Sequence, residues 1–173
     1  MTNSLLTTTL LKTSTDFQSP TFGRLTFDKM LTQVAEYLAA DLNHKYRLII
    51  GSDSQSTNTG EKQIDYVTAF IVHRVGAGGI YFWNRTTGGR VFSLRERIYT
   101  EALLSLQVAQ NLIENFSRFG IAQYDLEIHV DVGNQGETRE MINEVVGMVR
   151  SSGFKVKTKP DSFGASKVAD RYT

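Results

Sequence analysis

Two aspartates each follow an apolar run that is typical of a buried β-strand. Asp53 ends the segment Arg47-Leu-Ile-Ile-Gly-Ser-Asp53, and Asp131 ends Leu126-Glu-Ile-His-Val-Asp131. If these two strands are neighbours in the sheet, the carboxylates lie about one strand spacing apart, roughly 5 Å. Two anions that close together are costly in a partly buried site, and a divalent cation would remove the cost. For each aspartate the alternative is an ordinary turn at a strand end.

Two further acidic side chains lie on predicted helices. Glu101 falls within an apolar stripe on a long helix predicted from Leu94 to Phe116, and a carboxylate in such a stripe needs a partner. A salt bridge with Arg97, one turn earlier, is the alternative to a metal. Asp170 lies on a short final helix, where the alternative is a solvated side chain. Asp161, at the start of that helix, is the competing candidate and is otherwise its N-cap.

Polar side chains flank the two strand-end aspartates. His129 precedes Asp131 by two residues, so both side chains point to the same side of the strand. This histidine is either a proton shuttle or a structural residue. The neighbours of Asp53 can bond to phosphate or ribose, or can satisfy only backbone groups at the strand end. These neighbours are Ser52, Ser54 and Gln55.

Five basic residues are candidates for contact with phosphate groups of a ligand. Arg95 and Arg97 stand near the start of the long helix, where cations are mildly unfavourable, and this position favours a phosphate partner. Three lysines alternate along the last predicted strand and therefore share one of its faces. They are Lys155, Lys157 and Lys159. The alternative for all five is ordinary pairing of surface charges.

The first predicted elements are a helix and three strands. Thr26 can cap a helix from Phe27 to about Leu42, because apolar residues recur on one face of that segment. Three β-branched or apolar segments then follow one another with short links, which predicts an antiparallel meander. They cover residues 47–53, 65–73 and 80–83.

After the meander the pattern alternates between helices and strands. The long helix is followed by a fourth strand, a helix, a fifth strand and the final short helix. These last four elements are predicted over residues 126–131, 138–150, 154–158 and 161–171. Because strand–helix–strand crossovers produce parallel strands, the fourth and fifth strands run parallel to the first. The predicted fold class is α/β, with a mixed five-stranded sheet flanked by helices.

Length and composition fit one domain and limit its partners. The chain has 173 residues, of which 40% are hydrophobic and 21% charged, enough for a single domain with a sizeable core. We place this domain at residues 25–173 and interpret residues 1–24, rich in Ser and Thr, as an extended or mobile N-terminal arm. A net charge of +1 excludes nucleic-acid binding by bulk charge and leaves a local patch.

The absence of cysteine excludes a disulfide partner and a thiolate metal site, so any metal is held by oxygen or imidazole. No apolar run approaches the roughly 18 residues that span a bilayer. The N-terminal sequence also lacks the basic and small-residue pattern of a signal peptide. We therefore predict a cytoplasmic protein without a membrane partner.

The order of the predicted elements and the places of their acids resemble the ribonuclease H-like superfamily. The segment Ser166-Lys-Val-Ala-Asp170 resembles the Asn-x-x-Ala-Asp segment of ribonuclease H enzymes, with Ser166 in place of the asparagine. Four motifs resemble more closely the bacterial YkuK family, which is described as predicted ribonuclease H-like nucleases. They are Gly51-Ser-Asp-Ser-Gln55, Arg95-Glu-Arg-Ile-Tyr-Thr-Glu101, His129-Val-Asp131 and Lys159-Pro-Asp-Ser-Phe-Gly-Ala-Ser-Lys-Val-Ala-Asp170.

This resemblance implies metal-dependent hydrolysis of phosphodiester bonds. The superfamily uses two divalent ions, roughly 4 Å apart, and Mg²⁺ or Mn²⁺ suits an all-carboxylate site. The resemblance implies that Asp53 bridges both ions, that Glu101 and Asp131 complete one site, and that Asp170 completes the other. The implied substrate is RNA, an RNA–DNA hybrid or structured DNA. The alternative is a nucleic-acid-binding or interaction domain with this fold and little or no catalytic activity.

Overall fold

A computed structural model describes residues 12–13, 15–57, 63–90, 93–133 and 139–173. The strands within these residues form one mixed sheet of eight strands, seven of them in the order β3-β2-β6-β5-β4-β7-β8, with β1 paired to β6 outside this order. In chain order they are β1 (Lys12–Thr13), β2 (Asp16–Ser19), β3 (Gly23–Thr26), β4 (Tyr46–Ser56), β5 (Gln63–Arg74), β6 (Gly79–Arg90), β7 (Leu126–His129) and β8 (Lys155–Lys157).

The five predicted strands are β4, β5, β6, β7 and β8. The first three pair in antiparallel order, β7 is parallel to β4, and β8 is parallel to β7. The mixed α/β fold class is therefore confirmed. The predicted number of five strands is wrong, because within the described residues three short strands precede β4 and extend the sheet beyond β6.

Residues 16–24, which the sequence assigned to an arm, belong to the sheet instead. β2 pairs antiparallel with β3, and Gln18 of β2 lies opposite Trp83 of β6. Phe17 is buried, with its ring 6.3 Å from that of Phe27, and this contact ties the hairpin to the core. Gly23 turns the hairpin with φ of 71°, a left-handed conformation that favours glycine. Residues 1–11 and 14 of the predicted arm lie outside the described residues, and the domain bounds stay a prediction.

Three α-helices pack against the sheet: α1 (Phe27–Ala39), α2 (Leu94–Phe116) and α3 (Ile142–Ser151). Thr26 caps α1 as predicted, with its hydroxyl accepting from the Lys29 N–H at 3.4 Å, but α1 ends before Leu42. Thr138, where the sequence predicted the start of α3, lies outside the described residues. No helix within the described residues combines the length and apolarity needed to cross a bilayer.

The predicted final helix is not α-helical. Gly164–Ala169 forms a π-helix and Asp170–Tyr172 a 3-10 turn, and we call residues 163–173 the C-terminal segment. Because side chains alternate along a strand, this segment and the α-helices meet different residues of the sheet. The helix face carries Leu48, Ile50 and Phe70 against the three α-helices. The reverse face carries Val67 and Ala69 against Ala169 of the C-terminal segment.

Candidate active site

The parallel pairing of β4 with β7 places Asp53 beside Asp131. Gly51 lies opposite His129, so two residues further along both strands the two aspartates are level and share the reverse face. The hydrogen-bond ladder continues past the end of β7. The Val130 N–H donates to the Lys157 carbonyl at 2.9 Å, and the Lys159 N–H donates to the Val132 carbonyl at 2.8 Å. The predicted neighbourhood of the two strands is confirmed.

Asp53 is half-buried among other acids. Burial raises the pKa of Asp53 to about 6, although hydrogen bonds with Thr173 and with the Ser54 backbone lower it, and the charges of Asp170 and Asp131 raise it further. The Thr173 hydroxyl donates to Asp53 Oδ2 at 3.1 Å. Sequence reasoning missed this contact, which no motif indicates. The C-terminal segment therefore supplies both an acid and a hydroxyl to Asp53.

Glu101 approaches the same end of β4 from α2 on the helix face. Its side chain is 6% exposed, and Oε1 accepts a hydrogen bond from the Ser54 hydroxyl at 2.5 Å. Burial raises the pKa of Glu101 to about 8; Ser54 lowers this pKa, and the charge of Asp53 raises it. The predicted stripe places Ile98, Ser105 and Leu112 in the core beside Glu101.

Arg97 supports Glu101 through Ser54. The Arg97 guanidinium donates to the Ser54 hydroxyl at 3.1 Å and to the Ser54 carbonyl at 2.5 Å. The arginine therefore fixes the end of β4, and its charge lowers the pKa of Glu101. Arg97 therefore reaches Glu101 through the Ser54 hydroxyl. This contact takes the place of the helix-surface salt bridge between Arg97 and Glu101 that the sequence left open as an alternative.

The two competing C-terminal aspartates lie in different surroundings. Asp170 begins the last 3-10 turn and lies near enough to Asp53 to raise its pKa. Both aspartates are exposed, but the Asp161 N–H closes a turn on the Thr158 carbonyl at 2.8 Å. The structure thus brings Asp170 to the other carboxylates and leaves Asp161 in the turn that precedes the C-terminal segment.

His129 is buried and engages both ring nitrogens. Nδ1 accepts from the Gly164 N–H at 3.0 Å, so the ring carries its proton on Nε2, which lies 2.8 Å from Glu127 Oε1. Burial opposes ionisation of Glu127, but the His129 hydrogen bond and the Arg47 charge outweigh it and lower the Glu127 pKa. With both nitrogens engaged, His129 holds the C-terminal segment, as a structural histidine does, and has no nitrogen left for a proton shuttle.

Gly164 allows the C-terminal segment to approach the sheet closely. A Cβ at this position would lie 2.8 Å from Ile49 Cγ2, closer than real Cβ atoms come, and at a tight 3.2 Å from His129 Nδ1. Sequence reasoning did not single out this glycine, although a glycine at the start of a helical segment is the available signal for close packing. Gly164 and His129 together set the position of Asp170.

Ser52 points to the opposite face of β4 from Asp53, whereas Gln55 lies on the same face. The Ser52 hydroxyl bonds with those of Thr68 at 2.8 Å and Ser105 at 2.7 Å, so it joins β4, β5 and α2 on the helix face. Gln55 is exposed near the end of β4. Of the three predicted neighbours, Ser54 is the one that touches a carboxylate of the cluster.

The remaining predicted basic residues differ in their surroundings. Arg95 pairs with Glu144 of α3, and Lys155 Nζ lies 2.5 Å from Asp125 Oδ2 on the exposed edge. Lys157 is exposed on β8. Lys159 instead places Nζ 3.2 Å from Asp131 Oδ2. This last contact is an ion pair between a predicted basic residue and a predicted metal-binding acid.

The carboxylate cluster (Asp53, Glu101, Asp131 and Asp170) has the donor chemistry of a site for a hard divalent cation. Asp131 Oδ1 is buried without a hydrogen-bond partner among the described residues, which is uncommon for a carboxylate oxygen. Within the same residues, however, no three acidic or histidine side chains are arranged to hold one ion. The carboxylates bind Thr173, Ser54 and Lys159 instead, so coordination requires them to turn.

This sheet order, with the carboxylate cluster at one end of the central strands, defines a ribonuclease H-like protein. The chain belongs to the Ribonuclease H-like family, whose profile matches residues 29–173. It is similar to "Uncharacterized protein YkuK" of Bacillus subtilis (strain 168), with 31% identity over 166 residues that cover 87% of this chain and 92% of that protein. No solved structure matches the chain. The resemblance to the YkuK family is thereby confirmed.

Proposed function

We propose that the chain is a metal-dependent nuclease that hydrolyses phosphodiester bonds in nucleic acid. The observation that supports it most is the convergence of four acids from separate elements, whose charges and burial raise the pKa of Asp53 to about 6 and that of Glu101 to about 8. Burying mutually repelling carboxylates costs folding free energy, and groups with such shifted pKa values cluster at functional sites.

Mg²⁺ or Mn²⁺ fits this donor set, and the members of the carboxylate cluster are the residues that would hold it. When bound, such an ion activates water and neutralises charge on the phosphate. The chain supplies the rest of the site. Ser54 and Arg97 orient Glu101, and His129 holds the segment that carries Asp170.

Protons compete with the divalent ion for this site. Because the pKa values of Asp53 and Glu101 are raised to about 6 and about 8, the metal-free protein keeps a proton on Glu101 at neutral pH. Ion binding therefore releases protons, and the affinity for the ion rises with pH. We expect cleavage to be faster at pH 8 than at pH 6.

The substrate class is nucleic acid, and the lysines of β8 support it. Lys157 lies on the reverse face level with His129. Lys159 lies on the same face two residues further along, beside Asp131. A row of cations beside an acidic site is suited to a phosphate backbone. RNA, an RNA–DNA hybrid and structured DNA are the substrates to compare.

A nucleic-acid-binding domain with little catalytic activity is the second candidate. One observation favours it: within the described residues no three ligand-type side chains are arranged around a common point, and three of the acids bind other partners. In that function the lysines bind the phosphate backbone of the nucleic acid, and the carboxylate cluster remains without an ion.

The test is cleavage of labelled RNA–DNA hybrid, double-stranded RNA, single strands and a four-way DNA junction with Mg²⁺, Mn²⁺ or EDTA. We expect one substrate to be cut only with metal, and Asp53→Asn to lower the rate at least about 100-fold. Asp125→Asn is the matched control, because its carboxylate is exposed and pairs with Lys155, and it should cleave like the parent. Binding of nucleic acid without cleavage, by folded protein in the presence of Mg²⁺ or Mn²⁺, would favour the second candidate.

A further inference from the structure

Lys159 is held at the carboxylate cluster by its backbone. Lys157 lies opposite His129 in the parallel pair of β8 with β7, so Lys159 is level with Asp131. The Lys159 N–H donates to the Val132 carbonyl at 2.8 Å, and Nζ lies 3.2 Å from Asp131 Oδ2. The sheet ladder therefore places the Lys159 backbone level with Asp131, and the half-exposed side chain reaches the carboxylate.

Gly133 makes room for the Lys159 side chain. A Cβ at Gly133 would lie 3.1 Å from Lys159 Cβ and 3.4 Å from Lys159 Cδ, so the aliphatic part of the lysine crosses the space that this glycine leaves open. The path of the lysine towards Asp131 thus depends on a residue without a side chain two positions after the aspartate.

The two oxygens of Asp131 have different surroundings. Oδ2 faces the ammonium of Lys159, whereas Oδ1 is buried and has no hydrogen-bond partner among the described residues. An ion on Oδ2, at the usual Mg–O distance of about 2.1 Å, would lie within about 5 Å of Nζ. Repulsion between a double and a single positive charge at that separation disfavours it.

We propose that Lys159 takes the place of a second divalent ion, so that the chain binds one ion, through Asp131 Oδ1 and the acids around Asp53. This proposal rests on the proposed function for the existence of the ion and departs from the two ions that the resemblance implies. Lys159 then contributes a positive charge beside the ion, where a phosphate of the substrate would lie.

Counting Mn²⁺ ions tests this assignment without reference to activity. The full chain is titrated with Mn²⁺ at pH 8, by calorimetry and by the electron paramagnetic resonance signal of free Mn²⁺. We expect one ion per chain in the parent protein and in Lys159→Arg. In Lys159→Met we expect either a second ion or about tenfold tighter binding of the first, because the neighbouring positive charge is gone.

Two further variants separate this effect from a general loss of charge or of fold. Lys155→Met removes a lysine of the same strand that pairs with Asp125, and it should bind Mn²⁺ like the parent. Gly133→Ala displaces the stem of Lys159 and should change Mn²⁺ binding in the direction of Lys159→Met. Two ions in the parent, or a Lys159→Met protein that binds like the parent, would overturn the proposal while the proposed function stands. A folded parent that binds no Mn²⁺ would overturn both.

Discussion

At the residue scale, Glu101 is the most deeply buried acid of the carboxylate cluster. Its side chain is 6% exposed and accepts one hydrogen bond, from Ser54, while Asp53 and Asp131 repel its charge. In the metal-free protein this carboxyl is therefore stable with a proton. If a divalent ion binds as proposed, its charge would offset this repulsion.

The raised pKa of Glu101 predicts how stability depends on pH. Its pKa is about 8 in the folded protein and 4.5 ordinarily, so between these pH values the folded state binds more protons than the unfolded state. The unfolding free energy of the metal-free protein should fall as pH rises through this window, by on the order of 5 kcal/mol. The stabilisation is complete below pH 4.5 and lost above pH 8.

Urea unfolding in EDTA between pH 5 and 9 measures this slope. Glu101→Gln should remove most of it, leaving the smaller contribution of Asp53, because the amide is neutral at every pH. Glu114→Gln, an exposed position on the same helix, should keep the slope of the parent. A Glu101→Gln protein with an unchanged slope would show that burial does not raise the pKa of Glu101.

Sequence reasoning identified the acids but not the groups that bind them. Strand alternation places His129 and Asp131 on one face, and the end of an apolar run marks Asp53; both are local features. The contacts of Thr173 with Asp53 and of Lys159 with Asp131 depend on how distant segments dock. No local pattern carries that information.

At the scale of elements, prediction succeeded where periodicity was strong. The helix α2 begins and ends at the predicted residues, because its apolar stripe is long. The strand β6 was predicted to end at Trp83, yet it continues to Arg90. Its later inward side chains, Asn84 and Thr86, are polar, so burial and hydropathy no longer coincide there. The hairpin of β2 and β3 was missed for the same reason.

Docking of the C-terminal segment is testable at Gly164. Gly164→Ala places a methyl group 2.8 Å from Ile49 Cγ2, and we expect it to lower the unfolding free energy by about 1–3 kcal/mol. It should also reduce cleavage, because the segment that carries Asp170 must shift. Gly147→Ala is the control, since a Cβ there meets open space and should raise helix stability by up to about 1 kcal/mol. Equal stabilities for Gly164→Ala and the parent would contradict this docking.

At the scale of the whole molecule, the two faces of the sheet have separate roles. The helix face holds the main hydrophobic cluster, with the three α-helices. The reverse face holds Asp53, Asp131 and the lysines of β8 beside the C-terminal segment. With a net charge of +1, the molecule has no bulk attraction for a polyanion, so under the proposed function the position of a few cations would decide where nucleic acid binds.

This separation of faces predicts an unequal effect of two exposed lysines on binding. Lys157 lies on the reverse face near the carboxylate cluster, whereas Lys29 lies on α1, across the sheet. If the backbone of the substrate follows β8, Lys157→Ala should weaken binding alike for every sequence. It should also reduce the slope of log Kd against log salt by about 1, since one phosphate contact is lost.

Fluorescence anisotropy over a salt series measures the affinity and the salt slope, with Asp53→Asn as background to prevent cleavage. Lys29→Ala in that background should leave affinity and slope unchanged; if both lysines act alike, the nucleic acid does not bind along β8.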